Sequence, residues 1–161
     1  MMPLYFLERI QYEESIMRHE LPHFHLYGYS DDYRFEGWQW TNNRNSYKLT
    51  LNIPLFFPDQ VPPLYVTSPL ILRSYFFYSI NSQGTSHDAH TLSNGPNGCV
   101  QICHFRPENW DASQTCVAAM MKGILWLEAY EMHLRTGKEI AAILSAWERS
   151  QYDGNRTRQN F

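Results

Sequence analysis

The alternating stretch at 47–53 restricts the fold of this chain more than any other part of the sequence. Its apolar residues occupy every second position: Tyr47, Leu49, Leu51 and Ile53. Such a pattern predicts a β-strand with one face against the core and the other in water. Four prolines follow it, at positions 54, 58, 62 and 63. They predict an extended, rigid connection, after which the chain returns as a strand at 64–66 that ends before Pro69.

The segment before this strand has apolar residues at helical spacing. Between Leu4 and His19 the apolar residues recur at steps of three and four positions, which predicts an amphipathic helix that Pro22 ends. Short aromatic segments at 24–26 and 35–40 then alternate with polar turns and indicate further strands. One helix followed by a four-stranded antiparallel meander predicts an α+β fold.

The second half of the sequence predicts a long irregular region and then helices. The apolar stretch 71–80 is expected to be buried, and the polar stretch 81–98 is expected to be a loop. A helix is expected to begin at a cap formed by Asp111 or Ser113 and to end at Gly137. Its expected buried stripe consists of Val117, Met121, Ile124, Leu125 and Leu134.

The composition limits the class of protein. A chain of 161 residues with 43% hydrophobic and 18% charged residues is typical of one globular domain, which is expected at 1–149. A last helix is expected at about 138–147, and a disordered tail at 150–161. The formal net charge of −3, without a basic block, argues against a nucleic-acid partner. An odd number of cysteines and the lack of a signal peptide or a membrane span predict a cytoplasmic protein, and no cofactor is expected.

Five residues with metal-binding or nucleophilic side chains lie close together in the sequence: His87, His90, Cys99, Cys103 and His104. Zinc binds four such ligands as a tetrahedron, but only Cys99 and Cys103 have a spacing near that of structural zinc sites. Alternatively, one of these thiols is a nucleophile, because an adjacent imidazole or exposed amide groups can lower its pKa. Cys116 lies in the predicted helix and is expected to be part of the core.

The order of these segments resembles that of the ubiquitin-conjugating enzymes, over roughly 4–143. The residues that carry the resemblance are the strand at 47–53 with its proline, Phe56-Phe57-Pro58, Pro62-Pro63-Leu64-Tyr65-Val66, a cysteine in an irregular segment, and Trp110 before the helices. The likeness is closer to bacterial members, which have segments similar to 102–110 and 126–137. Such stand-alone proteins occur in cyclic-oligonucleotide antiphage defence (CBASS) operons, beside a nucleotidyltransferase. The resemblance implies a UBC-like fold with an irregular active-site segment between the meander and the C-terminal helices.

The resemblance also implies an activity. In this family a cysteine receives the C-terminal acyl group of a protein as a thioester and passes it to an amine. The Cys-x-x-x-Pro spacing and the tryptophan seven positions on select Cys103 as the nucleophile. Counting forward from Asn97-Gly98 lands instead on Gln101, which cannot form a thioester, and Cys99 is the second choice.

The weaker catalytic candidates come from the same comparison. The His-Pro-Asn element of the family is altered here, so Asn94 and Asn97 are only candidates for an amide donor to the oxyanion, and a role as turn residues is favoured for both. His90 is a candidate base or a residue that stabilises the loop, and His104 is adjacent to the preferred thiol. Asp111 is a candidate to orient the incoming amine, or a helix cap.

The implied partner is a protein that donates a C-terminal acyl group, and by analogy with the bacterial members it is a defence nucleotidyltransferase. The sequence shows no Gly-rich phosphate loop, so activation of the carboxyl group is expected to come from elsewhere or to be bypassed. Two alternatives stay open. One is a catalytically inactive variant of the same fold that only binds a partner, which Gln101 favours, and the other is a zinc-stabilised interaction domain.

Overall fold

The computed structural model describes residues 4–159, and the side chains of residues 4–151. It has an α+β fold, as predicted. In chain order its elements are α1 (Leu4–Glu20), β1 (His25–Tyr29), β2 (Asp32–Trp40), β3 (Ser46–Ile53), β4 (Leu64–Ser68), β5 (Thr91–Leu92), β6 (Val100–Ile102), α2 (Cys116–Thr136) and α3 (Ile140–Gln159).

The strands form one antiparallel sheet in the order β1-β2-β3-β4-β6-β5. The first four strands are the predicted meander, and the alternating residues of β3 are all buried. Strands β5 and β6 were not predicted. Each has at most three residues, too few to show a period, and β5 lies within the stretch predicted to be a loop. Pairing of β6 with β4 places the end of β6 beside the core of the sheet.

Helix α2 crosses the sheet closely at Gly123. A Cβ atom at this position would lie only 2.4 Å from Cδ2 of Leu64 and 3.5 Å from Cδ1 of Leu49, so only glycine permits this approach of helix and sheet. Helix α1 packs against α2 and β1, and α3 packs against α2. The buried side chains of these elements form one hydrophobic cluster. Ile102, the last residue of β6, belongs to this cluster.

The stretch 71–80 is not buried as a whole, contrary to the prediction. Leu72, Ser74 and Ile80 are buried, whereas Phe77 is fully exposed. The backbone forms a narrow hairpin in which the Ser74 N–H donates to the carbonyl of Tyr78 at 3.0 Å. This hairpin turns the aromatic side chains at its tip away from the core. An apolar composition alone does not reveal such a turn.

Helix α2 begins and packs differently from the prediction. Its N-cap is Thr115, whose hydroxyl accepts from the Ala118 N–H at 3.1 Å, so neither Asp111 nor Ser113 caps it. The predicted end at Gly137 is confirmed, with a left-handed φ of 75°. Of the predicted stripe, three residues are half-buried and two are exposed: Val117, Ile124 and Leu134, then Met121 and Leu125. The buried positions instead combine small residues, such as Ala119 and Gly123, with large ones, such as Trp126 and Tyr130.

Helix α3 continues through Gln159, beyond the predicted end at 147 and into the predicted tail 150–161. Helix propagation is cooperative, so a packed first turn supports further helical turns. Residues 160 and 161 of that predicted tail lie outside the described residues. None of the described helices combines the length and the apolar character needed to cross a membrane.

Candidate functional site

The accessible thiol of this protein is that of Cys103. All three cysteines lie in the described part of the chain and are free. Cys99 and Cys116 are buried, with 1% and 0% of their surface exposed, whereas Cys103 is only partly buried. Cys103 follows directly after β6, and its N–H donates to the carbonyl of His90 at 3.0 Å. The sheet and the preceding loop therefore fix the backbone of Cys103 from both sides.

The segment 103–106 forms a ridge between two clefts. One, the Val61 cleft, has a volume of about 490 Å³ and is lined mainly by apolar side chains, among them Val61, Pro63, Leu92, Phe105 and Trp110. The other, the α3 cleft, has a volume of about 500 Å³, and its polar lining includes His90, Lys122 and Glu148. Cys103 lines both clefts. A ligand in either cleft therefore lies beside residue Cys103.

The electrostatic surroundings of Cys103 act in opposite directions. Burial raises the pKa of the Cys103 thiol, Arg106 and Lys122 lower it, and Glu108 raises it, with a net upward shift. The thiol is consequently protonated in most molecules at neutral pH. Once the proton leaves, Arg106 and Lys122 can stabilise the negative charge on the sulfur. They can also stabilise negative charge on the oxygen of a carbonyl group whose carbon is bonded to that sulfur.

Lys122 has a defined position beside the ridge. Its Nζ lies 3.7 Å from the centroid of the Phe105 ring, a cation–π contact that orients both side chains. Lys122 also lines the α3 cleft. Helix α2 thereby places a positive charge next to the segment that carries Cys103, although nothing in the local sequence of the helix indicates such a role.

His104 is held in the interior next to Cys103. It is 5% exposed, its Nδ1 lies 3.3 Å from the carbonyl oxygen of Ile102, and its Nε2 has no hydrogen-bond partner among the described residues. Burial lowers the pKa of His104 to about 4. His104 is therefore neutral at pH 7 and supplies no positive charge to the neighbouring thiol.

This burial predicts a pH dependence of stability. Because the pKa of His104 is about 4 when folded and about 6.5 when unfolded, the unfolded chain binds a proton first as the pH falls. The free energy of unfolding is therefore unaffected by the titration of His104 above about pH 6.5. It falls by about 3 kcal/mol as the pH decreases toward 4. Urea unfolding between pH 4 and 7 should show a smaller pH dependence for His104→Leu than for the native chain. His19→Ala, at an exposed position, is the control, and equal slopes for all three proteins would contradict the assignment.

His90 contributes its backbone and its ring to the α3 cleft. Its φ of 56° lies in the left-handed region, an unusual conformation for a residue with a side chain. The Nδ1 atom is buried and has no hydrogen-bond partner in the described part of the chain. Burial lowers the pKa of His90, and Glu148 opposes that shift. The ring is therefore mainly neutral at pH 7, and its unpaired nitrogen faces the interior rather than the cleft.

The other predicted residues are not brought together with Cys103. Asn94 donates from Nδ2 to the Asn81 carbonyl at 2.9 Å, and Asn97 forms a turn with a φ of 59°. Asp111 accepts from the N–H of Ser113 at 2.8 Å, and hydrogen bonds from Ser113 lower its pKa. Among the described side chains that line the two clefts, none belongs to Asn94, Asn97 or Asp111. Each has a local structural role instead.

The two other positions considered for the nucleophile lie in packed parts of the sheet region. Cys99 packs so tightly against Gly95 that a Cβ atom on the glycine would lie 3.1 Å from the sulfur. Gln101 lies within β6, where it pairs with Tyr65 on one side and Leu92 on the other. Its side chain lines the Val61 cleft without a reactive group. The structure thus separates the three positions that the sequence leaves open.

The residues considered as zinc ligands do not gather. In the part of the chain with described side chains, no group of three or more His, Cys, Asp or Glu residues is arranged to hold a metal ion. Cys99 is buried and His87 is exposed beside Asp88. The close spacing in sequence therefore does not produce a common coordination centre.

Comparisons with known proteins give no relative. No protein-family model matches the chain, and no curated protein or solved structure is significantly similar to it. The geometry around Cys103 and the resemblance in the sequence are thus the grounds for a functional assignment.

Proposed function

We propose that this protein is an acyl carrier of the ubiquitin-conjugating type, with Cys103 as its nucleophile. The observation that carries this proposal is the position of an accessible thiol on a ridge between two clefts. A carrier needs this arrangement, because its thiol must accept an acyl group from one protein and present it to an amine. The order of α1, the antiparallel meander, an irregular segment with a cysteine and α2 also supports a UBC-like fold.

The first half-reaction forms the thioester. The Cys103 thiolate attacks the carbonyl carbon of an activated C-terminal acyl group, the new C–S bond forms, and the activating group leaves. Negative charge develops on the carbonyl oxygen, and Lys122 and Arg106 are the cations near the sulfur that stabilise it. The thiol proton leaves with the activating group or passes to water. Activation itself is supplied by another protein.

The second half-reaction transfers the acyl group to an amine that enters through the α3 cleft. The amine nitrogen forms the new C–N bond, the C–S bond breaks, and Cys103 leaves as the thiolate. The unpaired nitrogen of His90 is buried, so the proton that the amine loses passes to water. Glu148, in the same cleft, attracts an amine that arrives as a cation.

The biological setting follows from the resemblance to bacterial members of the family. The acyl donor is then the C-terminus of a defence nucleotidyltransferase, and the setting is the cytoplasm of a bacterium with a CBASS antiphage system. This part of the proposal names the partner that a binding experiment should use first.

A second candidate is a binding module of the same fold without catalysis. The net upward shift of the Cys103 pKa favours it, since a protonated thiol attacks slowly. The two candidates differ in one observable, the formation of a covalent bond.

The experiment that tests the proposal supplies the activated acyl group chemically. The protein is incubated at pH 7 with a peptide that ends in a 2-mercaptoethanesulfonate thioester, and the intact mass is measured. A carrier gains the mass of the peptide acyl group, and hydroxylamine removes it. A binding module retains its original mass.

A further inference from the structure

We infer that the Val61 cleft selects acyl donors with a large apolar side chain among their last three residues. The inference rests on the proposed function and adds to it the class of donor. It follows from the volume of the cleft, from its apolar lining and charges, and from the presence of Cys103 among its lining residues.

The Val61 cleft is larger than an extended chain of glycine residues needs. Its volume of about 490 Å³ lies within the range of pockets that bind small organic molecules. A space of this size is roughly 10 Å across, which corresponds to about three residues of extended chain at ~3.3 Å each. Because Cys103 is one of the residues that line the cleft, a donor bonded to its sulfur can place those last residues inside.

The walls of the cleft are apolar and already fixed. The indole Nε1 of Trp110 donates to the Pro58 carbonyl at 2.8 Å. Phe105 meets Trp110 edge to face with ring centroids 5.1 Å apart, and Lys122 supports Phe105 from the direction of α2. Leu92, on β5, is half-buried and also lines the cleft. A preformed apolar wall binds an apolar side chain without the cost of ordering its own residues.

The charges of the cleft disfavour an acidic donor. Asp59 and Glu108 line it together with one cation, Arg106. Two carboxylates against one guanidinium give this cleft an excess of negative charge. An acidic side chain at the same place in the donor is repelled, whereas a leucine or phenylalanine gains from burial against the apolar wall.

The covalent step used in the test balances without a further reactant. The Cys103 thiol and a peptide thioester exchange partners, which gives the Cys103-bound acyl peptide and free 2-mercaptoethanesulfonate. One C–S bond forms, one breaks, and the proton passes from the entering thiol to the departing one.

The test compares four peptide thioesters of equal length that end in glycine and differ only in the preceding residue: Leu, Phe, Gly or Asp. The initial rate of transfer to Cys103 is measured by intact mass. We expect Leu and Phe to react about tenfold faster than Gly, from the burial of one apolar side chain, and Asp to react more slowly than Gly. Equal rates for all four would overturn the inference while the carrier function stands. No transfer from any of them would overturn the carrier function itself.

A substitution in the lining of the Val61 cleft distinguishes selection by this cleft from differences in the intrinsic reactivity of the peptides. Leu92→Lys should reverse the order, so that the Asp peptide reacts faster than the Leu peptide, because a cation replaces an apolar surface. A gained preference cannot come from loss of the fold. Met121→Ala, at an exposed position that lines neither cleft, is the control and should keep the native order. An unchanged order in Leu92→Lys would overturn the inference.

Discussion

Substitution of Cys103 by alanine is expected to abolish acyl transfer from any peptide thioester, with a loss of at least about a thousandfold in rate. The reason is that no other thiol of the chain is accessible. The side chain is partly exposed and small, so its removal should change the free energy of unfolding by less than about 1 kcal/mol. The measurement is the intact mass after incubation, together with the midpoint of urea unfolding.

Cys99→Ala is the matched control for this variant. Cys99 is buried, and burial raises its pKa, so it should not compete for the acyl group. The rate of transfer should stay within about twofold of the native rate, and the main effect should be a loss of stability of about 1–2 kcal/mol from the cavity. A Cys103→Ala protein that still forms the adduct, and a Cys99→Ala protein that does not, would contradict the assignment of the nucleophile.

Glu13→Ala is expected to destabilise the fold by about 3–5 kcal/mol. The carboxylate of Glu13 is fully buried between α1 and α2. It accepts from the Cys116 N–H at 2.8 Å and from Nε of Arg9 at 2.9 Å, and Arg9 in turn donates to the carbonyls of Ala112 and Gln114. Removal of the carboxylate leaves a largely buried guanidinium and a helix N–H without their partner. Urea unfolding followed by tryptophan fluorescence gives the change.

Glu14→Ala is the control for that experiment, since it removes the same type of side chain one position along α1. Glu14 pairs with Arg18 at the surface, where both side chains are exposed. Such a pair contributes about 0–1 kcal/mol. Equal destabilisation by the two variants would show that the contact between α1 and α2 does not depend on the carboxylate of Glu13.

The parts of the fold with a repeating pattern could be predicted from the sequence. Apolar residues alternate over seven positions of β3 and recur over four turns of α1. Each pattern is long enough to predict its type of secondary structure. Gly137 could be predicted as a helix end because a left-handed residue favours glycine. In contrast, the hairpin at 71–80 and strands β5 and β6 depend on contacts between distant segments, which no local period records.

The candidate site divides in the same way. The spacing from Pro107 and Trp110 predicts Cys103 as the nucleophile, and Cys103 is the partly exposed cysteine of the structure. His90 and His104, which the sequence offered as weak candidates, line the α3 cleft together with Cys103. The sequence did not indicate Lys122, Glu148 or the wall that contains Val61 and Leu92, which come from four separate elements or loops. Only packing of α2 and α3 beside the end of β6 brings such residues to one thiol. For Asn94, Asn97 and Asp111 local turns decided the outcome, because short polar side chains readily bond to nearby backbone.

The most direct test of the central claim is to locate the acyl group on the native protein. After reaction with the Leu peptide thioester, the protein is digested with pepsin at low pH, where a thioester survives, and fragment ions separate Cys99 from Cys103. The account predicts the acyl mass on Cys103 and its loss after treatment with hydroxylamine. An acyl mass on Cys99, on Cys116 or on a lysine, with Cys103 unmodified, would contradict it.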